Sequence, residues 1–192
     1  MEPLQLQHIN VKIFLEDGAA PDLTRVIGVF HRWIAESALP ELLIDVANYA
    51  HVPAGPRILL VGLEADYGLD DIGGRYGLRY NRKAPLDGGN DHRLRDALRS
   101  AARACLMLER EPGDDGALRF SRGEMEILIN DRALAPNTEE TWAVLRPLLQ
   151  DFLERTLGHA DFKLTRDEDR RRRLGAVVKS ERPFDLNELA AS

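Results

Sequence analysis

The stretch HINVKIFLE, residues 8–16, alternates apolar and polar side chains with the period of two that is typical of a β-strand. Its apolar members Ile9, Val11, Ile13 and Leu15 share one face. This strand opens a regular succession of strands and helices that extends through the rest of the chain.

Three helices are predicted from apolar residues that recur every three or four positions. The first is capped by Asp22, the second covers residues 91–109, and the third starts at Asn137 with Glu140 three positions later. Strands are predicted over 42–49 and over 57–64, where the uninterrupted apolar run RILLVGLE indicates the middle of a sheet. Two hairpins follow, one with a tight turn at Arg122 and Gly123 and one that closes the chain around a highly charged turn.

This order of elements predicts an α+β two-layer sandwich, with a mainly antiparallel sheet and three helices packed on one face. The first part of the chain fits a ferredoxin-like core, followed by a C-terminal helix-strand-strand extension. We expect a single domain over residues 1–182. Residues 183–192 form a flexible tail or one that docks through Phe184, Leu186 and Leu189, on its own core or on a second protomer.

Composition narrows the function classes. The 192 residues are 44% hydrophobic and 30% charged, as in ordinary globular proteins, and no apolar run reaches the length of a membrane span. A net charge of −6 disfavours binding to nucleic acid. The single cysteine, Cys105, cannot form an internal disulfide, and no signal peptide opens the sequence, so we expect a cytoplasmic protein with no membrane partner.

A cationic stretch, GGRYGLRYNRKAP at residues 73–85, is the first candidate site. Read as a strand, it places Arg75, Arg79, Asn81 and Lys83 on one face, with Tyr80 on the other. These five residues could bind an anionic ligand or a carboxylate-rich partner surface, with the glycines exposing backbone N–H groups. The alternative is an edge strand whose charges discourage pairing with other sheets.

An acidic stretch directly precedes these cations. Glu64 and Asp66 lie at the end of the apolar run, and Asp70 and Asp71 follow in a loop, so their oxygens could hold a divalent cation such as magnesium or calcium. Their spacing matches no established calcium loop or hydrolase motif, and mutual neutralisation with the neighbouring cations is the alternative. No other cofactor is predicted.

The remaining reactive residues match no known catalytic pattern. The five histidines lack the spacing of a zinc site, and His31 is expected on a helix surface. Cys105 falls on the apolar stripe of the second helix, where burial is expected. The run DEDRRRR, residues 167–173, fits a solvated turn whose charges pair with one another.

Four segments carry a resemblance to a known group of proteins. They are VFHRWI at 29–34, LLIDVANYAHVP at 42–53, GGRYGLRYNRKAP at 73–85 and INDRALAPNT at 129–138, and they resemble segments of a family of uncharacterised bacterial proteins. The resemblance implies no activity and assigns no functional residue.

Two functions from different classes therefore remain. The first is a binding or accessory protein that recognises a protein partner or an anionic small molecule through Arg75, Arg79 and Lys83. The second is a metal-assisted hydrolase or transferase, with Glu64, Asp66, Asp70 and Asp71 as ligands and the arginines holding an anionic substrate. A homo-oligomer built through edge strands or the C-terminal tail is a third, structural interpretation.

Overall fold

The computed structural model describes residues 4–18, 20–52, 55–111 and 118–192. Within these ranges the chain forms an eight-stranded sheet with four helices. In chain order the elements are β1 (Ile9–Leu15), α1 (Leu23–Glu36), β2 (Leu43–Asn48), β3 (Pro56–Gly62), β4 (Ala65–Asp70), β5 (Gly77–Arg82), α2 (Asn90–Glu109), β6 (Phe120–Ile129), α3 (Glu139–Leu157), β7 (Phe162–Thr165), β8 (Leu174–Ser180) and α4 (Leu186–Ala191).

The sheet has the strand order β2-β3-β4-β5-β1-β6-β8-β7, and every neighbouring pair is antiparallel. β1 and β4 run parallel with β5 between them, and β5 and β6 run parallel with β1 between them. Helices α1 and α2 connect these split pairs, which is the ferredoxin-like arrangement, and the β2–β3 hairpin is inserted after α1. The predicted α+β two-layer sandwich is confirmed.

The core lies between one face of the sheet and the helices. α2 covers β1 and β5 at the centre, α1 covers β2 and β3, and α3 lies beside β8. The apolar side chains of β1 identified by the alternation, among them Val11 and Ile13, are fully buried in this layer. α1 begins where the predicted cap Asp22 accepts hydrogen bonds from the N–H groups of Thr24 at 2.9 Å and Arg25 at 3.2 Å.

Several local predictions are wrong. β3 is the second strand from one edge, and β1 and β5 occupy the centre instead. The predicted turn at Arg122 and Gly123 is absent, because β6 is one continuous strand that pairs with β1 on one side and β8 on the other. The cationic stretch is interior, so the edge-strand alternative is also wrong: β5 lies between β4 and β1.

Two further boundaries differ from the prediction. Asp70 belongs to β4 rather than to a loop. α3 begins at Glu139, since Thr138 is its N-cap, and the Asn137 side chain turns towards another loop instead.

The C-terminal residues are folded onto the domain. α4 packs against α2, and the three apolar side chains of the tail are at most 5% exposed: Phe184, Leu186 and Leu189. In this chain, therefore, the tail contacts its own core.

Candidate functional site

The face of the sheet opposite the helices carries a row of charged residues at its centre. Lys12 of β1 lies directly opposite Arg79 of β5 on one side and Glu126 of β6 on the other. Asp70, at the end of β4, completes the group. Charges at the centre of a sheet are desolvated there, so each must find a partner.

Lys12 is fully buried, and its ammonium group is fully hydrogen-bonded. Its Nζ donates to the Asp70 Oδ1 at 2.6 Å, to the Ile72 carbonyl at 3.1 Å and to the Arg75 carbonyl at 2.8 Å. Burial lowers the pKa of Lys12, and the Asp70 carboxylate opposes that shift. The two bonds to carbonyls fasten the segment between β4 and β5, residues 71–76, onto the sheet.

Gly77 makes room for the Lys12 side chain. A Cβ at this position would lie 2.7 Å from both the Lys12 Cε and the Ile13 carbonyl oxygen, closer than atoms can pack. The glycine that the sequence places at the start of β5 thus allows a long cation to lie flat across the sheet.

Arg79 is bound by two carboxylates but retains one unused donor. Its Nε donates to the Asp70 Oδ2 at 2.6 Å, and its Nη2 lies 3.0 Å from the Glu126 Oε2. Burial alone would lower the pKa of Arg79, but these two carboxylates raise it above its ordinary value. The Nη1 atom is buried and has no hydrogen-bond partner among the described residues, and the side chain as a whole is 90% buried.

A cleft of about 640 Å³ lies next to Arg79 on this face. Three loops surround it: residues 71–76, the residues after β6, and the β7–β8 loop. Its charged lining consists of Asp71, Arg79, Glu126, Arg132, Asp167, Arg172 and Arg173.

Two of these arginines, Arg132 and Arg173, form no ion pair with any carboxylate in the described ranges. Burial lowers the pKa of Arg173, and the positive charges of Arg79 and Arg132 lower it further. Arginine nevertheless remains protonated in proteins, so the cleft holds neighbouring positive charges that repel one another.

The β7–β8 loop is held in place from the α3 side. Asn137 donates from Nδ2 to the carbonyls of Asp167 at 2.8 Å and Asp169 at 3.0 Å. Arg171 pairs with Asp169 inside the loop at 2.9 Å, as the sequence predicts for a self-paired turn. Arg172 and Arg173, by contrast, line the cleft.

Of the predicted ligand-binding residues, the structure places only Arg79 at the cleft. Arg75 pairs with Glu124 at 2.8 Å and stacks on the Phe14 ring. Lys83 pairs with Asp66 at 2.7 Å at the other end of β5.

The two uncharged candidates lie elsewhere. Tyr80 is fully buried on the helix side, edge-on to Tyr67, and burial raises the pKa of Tyr80 to about 12. Asn81 accepts a hydrogen bond from Asn130 at 3.4 Å.

The four predicted metal ligands do not converge. Each faces a different cation: Glu64 faces Arg82, Asp66 faces Lys83, Asp70 faces Lys12 and Arg79, and Asp71 faces Arg57. In the part of the chain that the structure describes, no three His, Cys, Asp or Glu side chains are grouped to hold a metal ion. The arrangement therefore matches the charge-neutralising alternative rather than a metal centre.

Sequence reasoning missed Lys12, Glu126 and Arg132, and it assigned Arg173 to a self-paired turn, whereas Arg173 lines the cleft. One signal was available in the sequence, since Lys12 is a cation in the middle of the largely apolar strand β1. The other three come from distant segments that only the strand order brings together.

Comparisons with protein-family models, with curated proteins and with solved structures find no match to this chain. Among the described residues, no helix is both long enough and apolar enough to cross a membrane.

Proposed function

We propose that the protein binds a small anionic ligand in the cleft beside Arg79. The observation that carries this proposal is the grouping of Arg79, Arg132 and Arg173 at one cleft, where Arg132 and Arg173 form no ion pair with a carboxylate of the described residues. Guanidinium groups without a counter-ion attract an anion and offer it several N–H donors.

Charge balance supports an anion over a neutral ligand. Of the acidic groups in the lining, Asp71 is engaged by Arg57 and Glu126 by Arg79, while Asp167 lies 3.8 Å from Arg172. Among the residues that the structure describes, no carboxylate pairs with Arg132 or Arg173, and guanidinium groups match carboxylate and phosphate oxygens well.

The concave shape favours a small molecule over a protein surface. Ligand pockets usually have volumes of about 300–1,000 Å³, and this cleft falls in that range. The proposal keeps the sequence-based hypothesis of anion binding on β5 but replaces Arg75 and Lys83, which are engaged in other ion pairs, by Arg132 and Arg173.

The cytoplasm is the compartment that we propose for this activity. The single cysteine, Cys105, is buried in α2, and burial raises the pKa of its thiol. A buried free thiol is compatible with a reducing compartment such as the cytoplasm.

The test is thermal unfolding in phosphate, sulfate and acetate at constant ionic strength, for the native protein and for Arg173→Gln. At about one hundred times its dissociation constant, a ligand adds about 2.7 kcal/mol of stability. We expect at least one anion to stabilise the native protein and to lose this effect in Arg173→Gln.

Arg171→Gln is the matched control, because Arg171 is in the same loop but 90% exposed and paired with Asp169. It should respond to anions as the native protein does. The proposal fails if none of the anions stabilises the native protein, or if the two variants lose the effect equally.

A further inference from the structure

The cleft beside Arg79 has an apolar side as well as a cationic one. Ile72 and Leu128 line it together with the charged residues. Ile72 is 39% exposed, so part of its apolar surface is accessible to a ligand at the cleft.

The Ile72 backbone is fixed from both sides by the buried ion pair. Its N–H donates to the Asp70 Oδ1 at 3.1 Å, and its carbonyl accepts from the Lys12 Nζ at 3.1 Å. The side chain is thus held at the edge of the cleft by the same two residues that organise the cationic side.

The cationic side matches a phosphate group better than a carboxylate. Arg79, Arg132 and Arg173 reach the cleft from β5, from the loop after β6 and from the β7–β8 loop. A carboxylate is satisfied by one planar guanidinium fork, whereas a phosphate monoester offers three terminal oxygens and a charge of about −1.5 to −2.

The remainder of the lining argues against a polyanion or a nucleotide. Asp71 and Asp167 would repel a second anionic group, and the described residues of the lining include no aromatic side chain on which a base could stack. The volume nevertheless exceeds the need of a bare phosphate ion, so space beside Ile72 and Leu128 remains for an apolar group.

We infer that the ligand is a phosphate monoester with an apolar alcohol part, its phosphate at Arg79, Arg132 and Arg173 and its apolar part against Ile72 and Leu128. This inference rests on the proposed anion-binding function and adds the class of ligand to it.

The experiment is calorimetric titration of the 192-residue chain with three probes: inorganic phosphate, glycerol 3-phosphate and phenyl phosphate. Burial of the phenyl ring should make phenyl phosphate about tenfold tighter than either of the other two. Ile72→Ser should abolish this gain and leave the affinity for inorganic phosphate unchanged.

Leu134→Ser is the control, because Leu134 is 63% exposed and does not line the cleft. It should keep the full gain. Equal affinities for the three probes, or a gain that survives in Ile72→Ser, would overturn the inference while phosphate binding itself still supported the proposed function.

Two other results separate the two proposals. If acetate or sulfate binds and none of the three phosphates does, the inference is overturned and anion binding stands. If no anion binds, both are overturned.

Discussion

At the scale of single residues, the central feature is a buried cation that organises a loop. Lys12 binds the carboxylate of Asp70 and two carbonyls of residues 71–76, and this places Ile72 and Arg79 at the cleft. Removing one member of such a buried pair typically costs about 3–5 kcal/mol, because the other charge is left unpaired. The arrangement is thus a requirement for folding.

Gly77→Ala tests this arrangement directly. The new Cβ would collide with the Lys12 side chain and the Ile13 carbonyl at 2.7 Å, so we expect a loss of about 1–3 kcal/mol in urea unfolding. Gly123→Ala in β6 is the control, since its Cβ would meet nothing closer than 3.5 Å, and its stability should stay within about 0.5 kcal/mol of the native value. Equal losses in the two variants would contradict the account of Lys12.

At the scale of elements, polar side chains limit pairing at the edge strand β2 and pair with one another in the β7–β8 loop. The edge strand β2 is partly blocked, because the Val46 N–H bonds to the carboxylate of Asp45 at 2.7 Å and the register shifts between Leu43 and Asp45. Both features discourage pairing with another sheet. In the β7–β8 loop, by contrast, Arg171 pairs with Asp169 at the surface while Asn137 holds the loop backbone.

The pH dependence of this loop follows from Asp169. Hydrogen bonds from Arg171 hold the pKa of Asp169 at about 2, below its ordinary value of 3.8. Above about pH 4 the ionised carboxylate of Asp169 therefore stabilises the folded state. This contribution to the free energy of unfolding is lost as the pH falls towards 2. A carbon-detected NMR titration should give that low pKa, and Arg171→Gln should raise the pKa of Asp169 part of the way towards its ordinary value, because the backbone N–H of residue 171 still donates to the carboxylate. An unchanged pKa in Arg171→Gln would contradict the pairing.

The elements that the sequence predicts correctly are those that local signals mark. The alternation of Ile9, Val11 and Ile13 and the cap at Asp22 are local signals, and both were read correctly. Gly123 is predicted in a turn because glycine favours turns, but it lies within β6, whose neighbouring residues pair with β1 and β8 across the register shift between Ile13 and Leu15. Local patterns carry no information on such long-range pairing.

At the scale of the whole molecule, the candidate site is a product of topology. Lys12 and Asp70 are 58 positions apart, and Arg173, which is distant from Arg79 in the sequence, lines the same cleft. The sequence predicts anion binding at Arg79, but the partners of Arg79 depend on the order β4-β5-β1-β6-β8. In a chain whose net charge is −6, this order brings Arg79 to a cleft with Arg132 and Arg173, which form no ion pair among the described residues.

The most direct test of anion binding in the cleft is a titration of the isotope-labelled protein with inorganic phosphate, followed by amide NMR shifts at constant ionic strength. The account predicts saturable shifts with one dissociation constant, concentrated at residues 72–74, Arg132, Arg172 and Arg173, which line the cleft. Shifts that do not saturate, or saturable shifts that cluster away from this cleft, would contradict it.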